Sequence, residues 1–195
     1  MKFTILMGSP RKEGNTAALL EPFVKTLERE GAECEVLWLY DMDLHPCTAC
    51  RTCQKDWTIF GCPQQDDVIG IFDKVLSSDV LVLATPIYSW YCTPPMKNVI
   101  DRLVYGMNKY YGESMGPALW KGKKMALIST CGYPTDKGAD LWEEGMKRYC
   151  KHSHLEYLGM KAMRQRKYGE AFMDEEKIEA MAEFARHCMA SVEEA

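Results

Sequence analysis

No part of this sequence is apolar for long enough to cross a membrane, and its basic residues are not in excess. A membrane-spanning helix needs roughly 18 or more predominantly apolar residues, whereas the apolar runs here are of strand length. The 24 basic and 28 acidic residues are interspersed and leave a net charge of −4. Proteins that bind nucleic acid or anionic membranes usually carry a basic patch. We therefore expect neither nucleic acid nor a membrane as a partner.

The chain also begins without the features of an export signal. Its first ten residues, MKFTILMGSP, contain one lysine and a short apolar patch, and this patch is too short for a signal peptide. We therefore expect a cytoplasmic protein. The nine cysteines are then expected to be reduced, and a tight cysteine cluster indicates metal or redox chemistry rather than disulfides.

Two familiar phosphate-binding motifs are missing. The sequence contains neither G-x-G-x-x-G nor a glycine-rich loop that ends in Lys-Ser or Lys-Thr, which argues against a Rossmann dinucleotide site and an NTPase. Histidine is scarce, because the chain has four, and none lies in the loops considered below. Acid–base catalysis by histidine therefore has little support.

The 195 residues, 47% of them hydrophobic, predict one domain over 1–195 with a cysteine-rich loop at about 45–65. Apolar runs predict strands at 2–7, 35–39, 80–84, 124–129 and 155–163. Helical patterns between and after them lie at 20–27, 66–76, 96–105, 141–152 and 178–192. Such alternation predicts a parallel sheet covered on both faces, in which ligands bind at the carboxyl ends of the strands.

The segment MGSPRKEGNT, at 7–16, lies where the first strand turns into the first helix. A helix N-terminus offers unpaired backbone N–H groups and a partial positive charge. Ser9, Asn15 and Thr16 add hydrogen-bonding side chains, and Arg11 adds a charged one. We interpret the segment as a phosphate cradle. The alternative is an ordinary loop in which Asn15 or Thr16 caps the helix.

The loops after the third and fourth strands also contain residues suited to a ligand. TPIYSWYC, at 85–92, offers the aromatic rings of Tyr88, Trp90 and Tyr91, and STCGYP, at 129–134, contains Gly132. Aromatic rings can line a planar ring system, although aromatic residues in a loop more often belong to the core or to a subunit contact. A ligand with a phosphate at one end and a planar ring at the other would use all three loops.

Four segments taken together resemble the flavodoxin-like NAD(P)H-dependent FMN reductase family, which includes iron-sulfur flavoproteins. They are GSPRKEGNT, PIY, PPMKNVIDRL and STCGY, and the likeness extends over 1 to about 133. The resemblance implies an α/β fold, namely a flavodoxin-like three-layer α/β/α sandwich with a five-stranded parallel sheet of order 2-1-3-4-5. It also implies FMN as a noncovalent cofactor.

The resemblance assigns FMN-binding roles to the three loops. The phosphate would be held by Ser9, Arg11, Asn15 and Thr16. The isoalloxazine ring would be flanked by Pro86, Ile87, Tyr88, Ser89, Thr130, Cys131 and Gly132. No catalytic side chain is implied, because atom N5 of the flavin carries the chemistry. Lys97, Asp101 and Arg102 match a family pattern that we expect to be structural or to lie at a subunit interface.

A cysteine array follows the second predicted strand. Cys47, Cys50, Cys53 and Cys62 form a C-x2-C-x2-C-x8-C pattern, which resembles the motif of iron-sulfur flavoproteins except for its longer last gap. A [4Fe–4S] cluster is one interpretation. A structural zinc and no metal at all are the alternatives, since many relatives without a cluster keep several of these cysteines. We expect the other five, Cys34, Cys92, Cys131, Cys150 and Cys188, to be mostly buried small hydrophobic residues.

The resemblance thus implies an FMN-dependent oxidoreductase that moves electrons from NAD(P)H to a small acceptor such as a quinone, an azo or nitro compound, or free flavin. The alternative is an iron-sulfur flavoprotein that acts as an electron carrier or redox sensor with a protein partner, such as a ferredoxin-like donor. A homodimer or homotetramer is expected. The connection at 105–124 is interpreted as a lid over the flavin, a subunit contact or a surface loop.

Overall fold

One parallel sheet of five strands organises the molecule. The computed structural model describes residues 1–165 and 169–193. The strands are β1 (Lys2–Met7), β2 (Glu33–Trp38), β3 (Val80–Pro86), β4 (Lys124–Cys131) and β5 (Glu156–Arg164). They pair in parallel in the order β2-β1-β3-β4-β5. The predicted fold class and strand order are confirmed.

Helices cover both faces of the sheet. They are α1 (Asn15–Arg29), α2 (Val68–Ser77), α3 (Pro94–Met107), α4 (Thr135–Gly138), α5 (Asp140–Ser153) and α6 (Glu175–Glu193). Helices α1 and α6 pack together over one face, where Phe23 of α1 contacts Phe184 of α6. Helices α2, α3 and α5 bury their apolar sides on the other face. No described helix is long and apolar enough to span a membrane.

The predicted segments exist, but several of their ends were wrong. Strand β2 begins two residues before the predicted start and stops at Trp38, because Leu39 opens a 3-10 turn. Strands β3 and β4 run past their apolar runs to Pro86 and Cys131, since neighbouring strands continue to pair there. Helix α3 begins at Pro94, a residue that is favoured in the first turn because it lacks the N–H that would go unpaired.

The sheet interior is apolar on both sides. The five residues from Val80 to Ala84 are at most 1% exposed, as expected for a strand covered on both faces. Strand β1 lies between β2 and β3. The connection from β1 to β2 therefore runs toward one edge of the sheet, and the connection from β2 to β3 runs back past β1 toward the other edge. Ligands bind at such a switch point, in the crevice beyond the carboxyl ends of the strands. The loop after β1 opens into this crevice.

Candidate functional site

The turn after β1 is packed tightly by its glycine. The Gly8 N–H donates to the Ala84 carbonyl at 2.7 Å, and the Thr93 hydroxyl donates to the Gly8 carbonyl at 2.7 Å. A Cβ atom at position 8 would lie 2.9 Å from Thr93 Oγ1, which is closer than real Cβ contacts. Gly8 therefore allows the loop between β1 and α1 to lie directly against the start of α3.

The rest of this loop forms the entrance to α1. The backbone N–H of Arg11 donates to Ser9 Oγ at 3.2 Å, and Ser9 is 3% exposed. The N-cap is Gly14, with no side-chain cap. The alternative in which Asn15 or Thr16 caps the helix is therefore wrong. Because no side chain caps the helix, its first N–H groups remain suited to an anion.

A cavity of about 320 Å³ opens at the carboxyl ends of β3, β4 and β5 beside the start of α1. Seven of the residues predicted to hold FMN line it, namely Arg11, Asn15, Pro86, Ile87, Thr130, Cys131 and Gly132. Gln165, Gly169 and Glu170 complete the wall. The structure thus brings three separate loops together around one space.

Four predicted residues do not line this cavity. Ser9 and Thr16 lie buried behind it, and Thr16 Oγ1 is 2.7 Å from Thr130 Oγ1. Tyr88 and Ser89 lie in the exposed turn beyond Ile87. The buried hydroxyl pair joins α1 to β4, so its position supports the cavity wall from behind.

Gln165 is a wall residue that the sequence analysis did not identify. Its backbone N–H donates to the Cys131 carbonyl at 3.0 Å, and its Oε1 accepts from Asn15 Nδ2 at 3.0 Å. It therefore joins the end of β5 to the loop before α1. The rule that ligands bind beyond strand ends would have pointed to this residue, because it follows the fifth strand directly.

The turn at 88–91 has an uncommon backbone. Tyr88 and Tyr91 exchange two backbone hydrogen bonds of 2.8 and 3.0 Å, and the residues between them, Ser89 and Trp90, have φ of 49° and 65°. Two left-handed residues define a type I′ turn, in which glycine or asparagine is preferred. The Trp90 indole N–H donates to the Lys137 carbonyl at 3.0 Å, which ties this turn to α4.

The exposed aromatic rings beside the cavity belong to the same arrangement. Trp90 stacks on Tyr133 with 5.9 Å between ring centroids, whereas Tyr91 packs edge-on against the buried Trp142. Tyr88, Trp90 and Tyr133 are 47%, 47% and 61% exposed. Of the three rings predicted to offer flat surfaces, Tyr91 therefore packs against the core, whereas Tyr88 and Trp90 lie at the surface.

The cavity fits a group that carries a phosphate and a planar ring. Within the described part of the chain, the Arg11 guanidinium has no ion-pair partner, and it lines the cavity beside the N-terminus of α1. A Cβ atom at Gly132 would meet nothing within 4 Å, so this wall leaves room for a ligand to lie close to the backbone. Burial raises the pKa of the Cys131 thiol, which adds an uncharged side chain to the wall.

The connection at 105–124 does not act as a lid on this cavity, because it supplies none of the lining residues. It packs instead against the cysteine loop. The indole N–H of Trp120, which is 2% exposed, donates to Asn108 Oδ1 at 2.8 Å. A Cβ atom at Gly116 would lie 2.7 Å from the ring of Trp57.

The four cysteines of the array lie around a second, much smaller cavity. Cys47, Cys50, Cys53 and Cys62 line it together with Arg102 and Tyr105, and its volume is about 20 Å³. Such a volume holds about one water molecule. Among the described residues, no three His, Cys, Asp or Glu side chains converge closely enough to hold a metal ion. The donor atoms suit a metal, but the space between them does not fit a [4Fe–4S] cluster.

A buried ion pair forms one side of this cysteine loop. The Arg102 guanidinium donates to the Asp66 carboxylate and, at 3.3 Å, to Cys62 Sγ. The two charged side chains are 1% and 0% exposed. Lys97 and Asp101 form an ion pair on the same helix at 2.6 Å. Of the three residues that match the family pattern, Arg102 thus joins α3 to the cysteine loop, and Lys97 and Asp101 pair within α3.

Four of the five remaining cysteines are buried, as predicted, and Cys34 is partly exposed. Burial raises the pKa of Cys92 to about 12, and it does the same for Cys150 and Cys188. None of the four histidines lines the flavin-sized cavity.

Comparison with known proteins places these features in a family. The family model described as NADPH-dependent FMN reductase matches residues 1–140. An iron-sulfur flavoprotein of Methanocaldococcus jannaschii is 35% identical over 102 residues, which cover 52% of this chain and 51% of that protein. An iron-sulfur flavoprotein of Archaeoglobus fulgidus is 37% identical over 107 residues, which cover 54% of this chain and 47% of that protein. The chain thus spans about half the length of these curated relatives.

Solved structures share the fold at low identity. A structure described as flavone reductase has a TM-score of 0.73 and 16% identity, covering 99% of this chain and 63% of that one. The NAD(P)H:quinone oxidoreductase from Methanothermobacter marburgensis has a TM-score of 0.71 and 19% identity, covering 96% and 94%. These likenesses show the fold alone. Because the family model covers well over half of the 195 residues, the chain belongs to the NADPH-dependent FMN reductase family.

Proposed function

We propose that this chain is an FMN-dependent oxidoreductase that takes electrons from NAD(P)H and passes them to a small acceptor. Quinones, azo and nitro compounds, and free flavin are the acceptor classes. The observation that carries the proposal is the cavity of about 320 Å³, in which the Arg11 side chain and the start of α1 face loops from three other strands. This arrangement suits a phosphate at one end and a planar ring at the other.

Different residues of the cavity wall would bind the phosphate and the ring of FMN. Arg11, Asn15 and the first N–H groups of α1 hold the phosphate, and Ser9 keeps the loop in place by accepting from the Arg11 N–H. The ring would be held by Pro86 and Ile87 and by Thr130 to Gly132, which line the same cavity. Bound FMN supplies hydride and electron transfer, and the chain binds, orients and shields it.

The electron donor has room next to this cavity. A larger space of about 600 Å³ adjoins it on the side of β5 and shares Gln165 and Glu170 with its wall. Its lining contains Arg164 and Lys177 together with four acidic residues, and Lys177 is ion-paired with Asp174. The size of this space and the wall that it shares with the smaller cavity, rather than its charge, support a donor on this side.

FMN titration of the apoprotein tests the phosphate assignment. Arg11→Ala and Asn15→Ala should each weaken FMN binding by about tenfold or more, since a hydrogen bond to a charged group contributes about 1.5–3 kcal/mol. The matched control is Arg29→Ala, because Arg29 lies in the last turn of the same helix. Equal FMN affinity in all four proteins would refute the phosphate cradle.

Steady-state assays test the reaction itself. The FMN-loaded protein should oxidise NADPH or NADH in the presence of menadione, and turnover should fall in Arg11→Ala in proportion to lost FMN. A flavin that is reducible by dithionite but shows no turnover with either nucleotide would refute the reductase assignment.

A second candidate is an electron carrier or redox sensor that works with a protein such as a ferredoxin-like donor. The observation in its favour is that all four cysteines of the array line one cavity, and the small volume of that cavity counts against it. Iron and acid-labile sulfide, assayed on protein purified without oxygen, distinguish the two candidates, because matching iron and sulfide would favour the carrier.

We also propose that the chain forms a homodimer or homotetramer. The exposed rings of Tyr88, Trp90 and Tyr133 beside the flavin cavity support a contact there, since exposed aromatic residues are enriched at protein interfaces. Light scattering on the eluting protein measures the mass directly. A monomer of 22.3 kDa at micromolar concentration would overturn this proposal.

A further inference from the structure

Lys109 is a lysine with no exposed surface. It follows the end of α3, and its exposed fraction is 0%. Its backbone N–H donates to the Pro117 carbonyl at 2.9 Å, and its carbonyl accepts from Gly116 at 2.7 Å. The backbone of Lys109 therefore belongs to the connection at 105–124, whereas its side chain enters the cysteine loop.

The Lys109 ammonium lies among backbone carbonyl oxygens of that loop. It donates to the carbonyls of Cys53 at 2.7 Å, Ile59 at 2.6 Å and Phe60 at 3.3 Å. An ammonium has three N–H donors, so these three acceptors satisfy it completely. Lys109 forms no ion pair within the described part of the chain. Burial lowers the pKa of this ammonium, and the nearby Cys53 and Asp56 oppose this shift.

The three carbonyls come from two parts of the cysteine loop. Cys53 lies in the short 3-10 turn at 52–54, and Ile59 and Phe60 directly precede the stretch that contains Cys62. One positive charge therefore joins the part of the loop that contains the third cysteine to the part that leads to the fourth. A bound metal cation that gathered oxygen ligands would occupy the same kind of position.

Hydrogen bonds of Gln54 also join the cysteine loop to α3 and to the connection at 105–124. Gln54 Nε2 donates to the Tyr105 carbonyl at 2.5 Å, and Gln54 Oε1 accepts from the Tyr111 N–H at 3.0 Å. Ala49 and Arg51 have φ of 53° and 59°, and such left-handed residues persist only where the surroundings hold them. The ammonium is the only fully buried charge that the Cys53 carbonyl contacts among the described residues.

We infer that Lys109 is the internal cation around which the part of the loop at 53–60 folds. Together with Arg102, which donates to Cys62 Sγ, this ammonium positions the cysteines beside their small cavity, and no metal ion or cluster is needed for this part of the loop to be ordered. Lys109 is thus a positioning residue for the thiols. The inference does not depend on the proposed reductase activity, because the flavin-sized cavity shares no residue with this loop.

Per-cysteine labelling by N-ethylmaleimide, read by mass spectrometry, tests the inference on reduced protein freed of metal by a chelator. In the unaltered chain the exposed Cys50 should label fast and the buried Cys53 slowly. In Lys109→Met, Cys53 should label about tenfold faster or more, because the loop opens locally. The control is Lys121→Met, since Lys121 is an exposed lysine of the same connection. It should match the unaltered chain.

Cys150 and Cys188 are buried in the two halves of the core and report whether the whole molecule unfolds. They should stay protected in Lys109→Met, and FMN affinity should not change. Three results would overturn the inference. One is equal Cys53 labelling in Lys109→Met and the unaltered chain. Another is Cys53 protection in the unaltered chain only after iron is restored. The third is labelling of Cys188 as fast as Cys53 in the variant, which would show that the lysine stabilises the whole fold instead of this loop.

Discussion

Asp66 and Arg102 show how a single buried pair joins distant parts of this chain. The Asp66 carboxylate accepts from the Arg102 guanidinium and from the His45 N–H at 2.9 Å, and Arg102 also donates to the His45 carbonyl at 3.3 Å. Three segments therefore meet at one carboxylate. Removing one partner of a buried pair is costly, because the other charge stays buried without compensation.

The first prediction concerns the charge of Asp66. Burial alone would raise its pKa, but the hydrogen bonds from Arg102 and His45 bring the pKa below its usual value. A carboxyl with a lowered pKa in the folded state stabilises the protein above its unfolded pKa of about 4, and this stability is lost as the pH falls through the folded pKa. Asp66→Asn should lower the free energy of unfolding at pH 7 by about 3 kcal/mol.

Urea unfolding at several pH values measures this effect. The gap between Asp66→Asn and the unaltered chain should be constant from pH 8 to about pH 5 and should shrink below about pH 4. Asp73→Asn serves as the control, because Asp73 is an exposed residue of α2. A gap that does not depend on pH would contradict the role assigned to the Asp66 charge.

At the scale of whole elements, α3 and the cysteine loop pack closely because residue 106 of α3 is a glycine and has no side chain. A Cβ atom at Gly106, in α3, would lie 2.0 Å from the ring of Phe60. Phe60 in turn packs on Phe72 of α2, with 4.5 Å between ring centroids. Gly106 therefore decides how closely the loop can approach both helices.

The second prediction compares two helical glycines. Gly106→Ala should destabilise the protein by about 1–3 kcal/mol, because the Phe60 ring has to move out of a packed site. Gly70→Ala in α2 should stabilise it by about 0.5–1 kcal/mol, since a Cβ atom there meets nothing within 4 Å and alanine favours the helix. Chemical denaturation measures both. Equal effects of the two substitutions would contradict the close packing of Phe60 on Gly106.

For the molecule as a whole, the cavity of about 320 Å³ lies between several elements, and a ligand that binds there is therefore linked to global stability. Its walls come from α1, β3 and β4 and from the segments that follow β1, β3, β4 and β5. A ligand bound there contacts parts of the chain that lie together only in the folded state. Binding should thus stabilise the fold in proportion to the logarithm of ligand concentration.

The third prediction concerns FMN and heat. At 100 times its Kd, FMN should stabilise the fold by about 2.7 kcal/mol, which corresponds to a rise in Tm of about 5–10 °C for a chain of this size. Riboflavin, which lacks the phosphate, should raise the Tm less at the same concentration, and Arg11→Ala should narrow this difference. Thermal shift assays measure the Tm of each protein with each flavin. Equal shifts with both flavins would show that the phosphate is not recognised.

The amino-acid sequence by itself determined the sheet, its helical layers and the edge where the site lies. Continuous apolar runs such as 80–84 require burial on both faces, and periodicity is a local property that the residues express wherever they lie. The resemblance of the loop motifs to one family supplied the strand order. The start of α1 after Gly14 and the turn at 88–91 could not be predicted from the sequence pattern, because the backbone angles there depend on contacts with other elements.

Only the tertiary structure decided which distant side chains meet. Gln165 reaches Asn15 across the cavity, and Lys109 reaches three carbonyls of a loop about 50 residues earlier. Neither pairing has a local pattern, since each depends on how the crossover helices bring strand ends and loops together. The same holds for the small space between the four cysteines, because the spacing of the cysteines in the sequence does not determine how closely the folded loop brings them together.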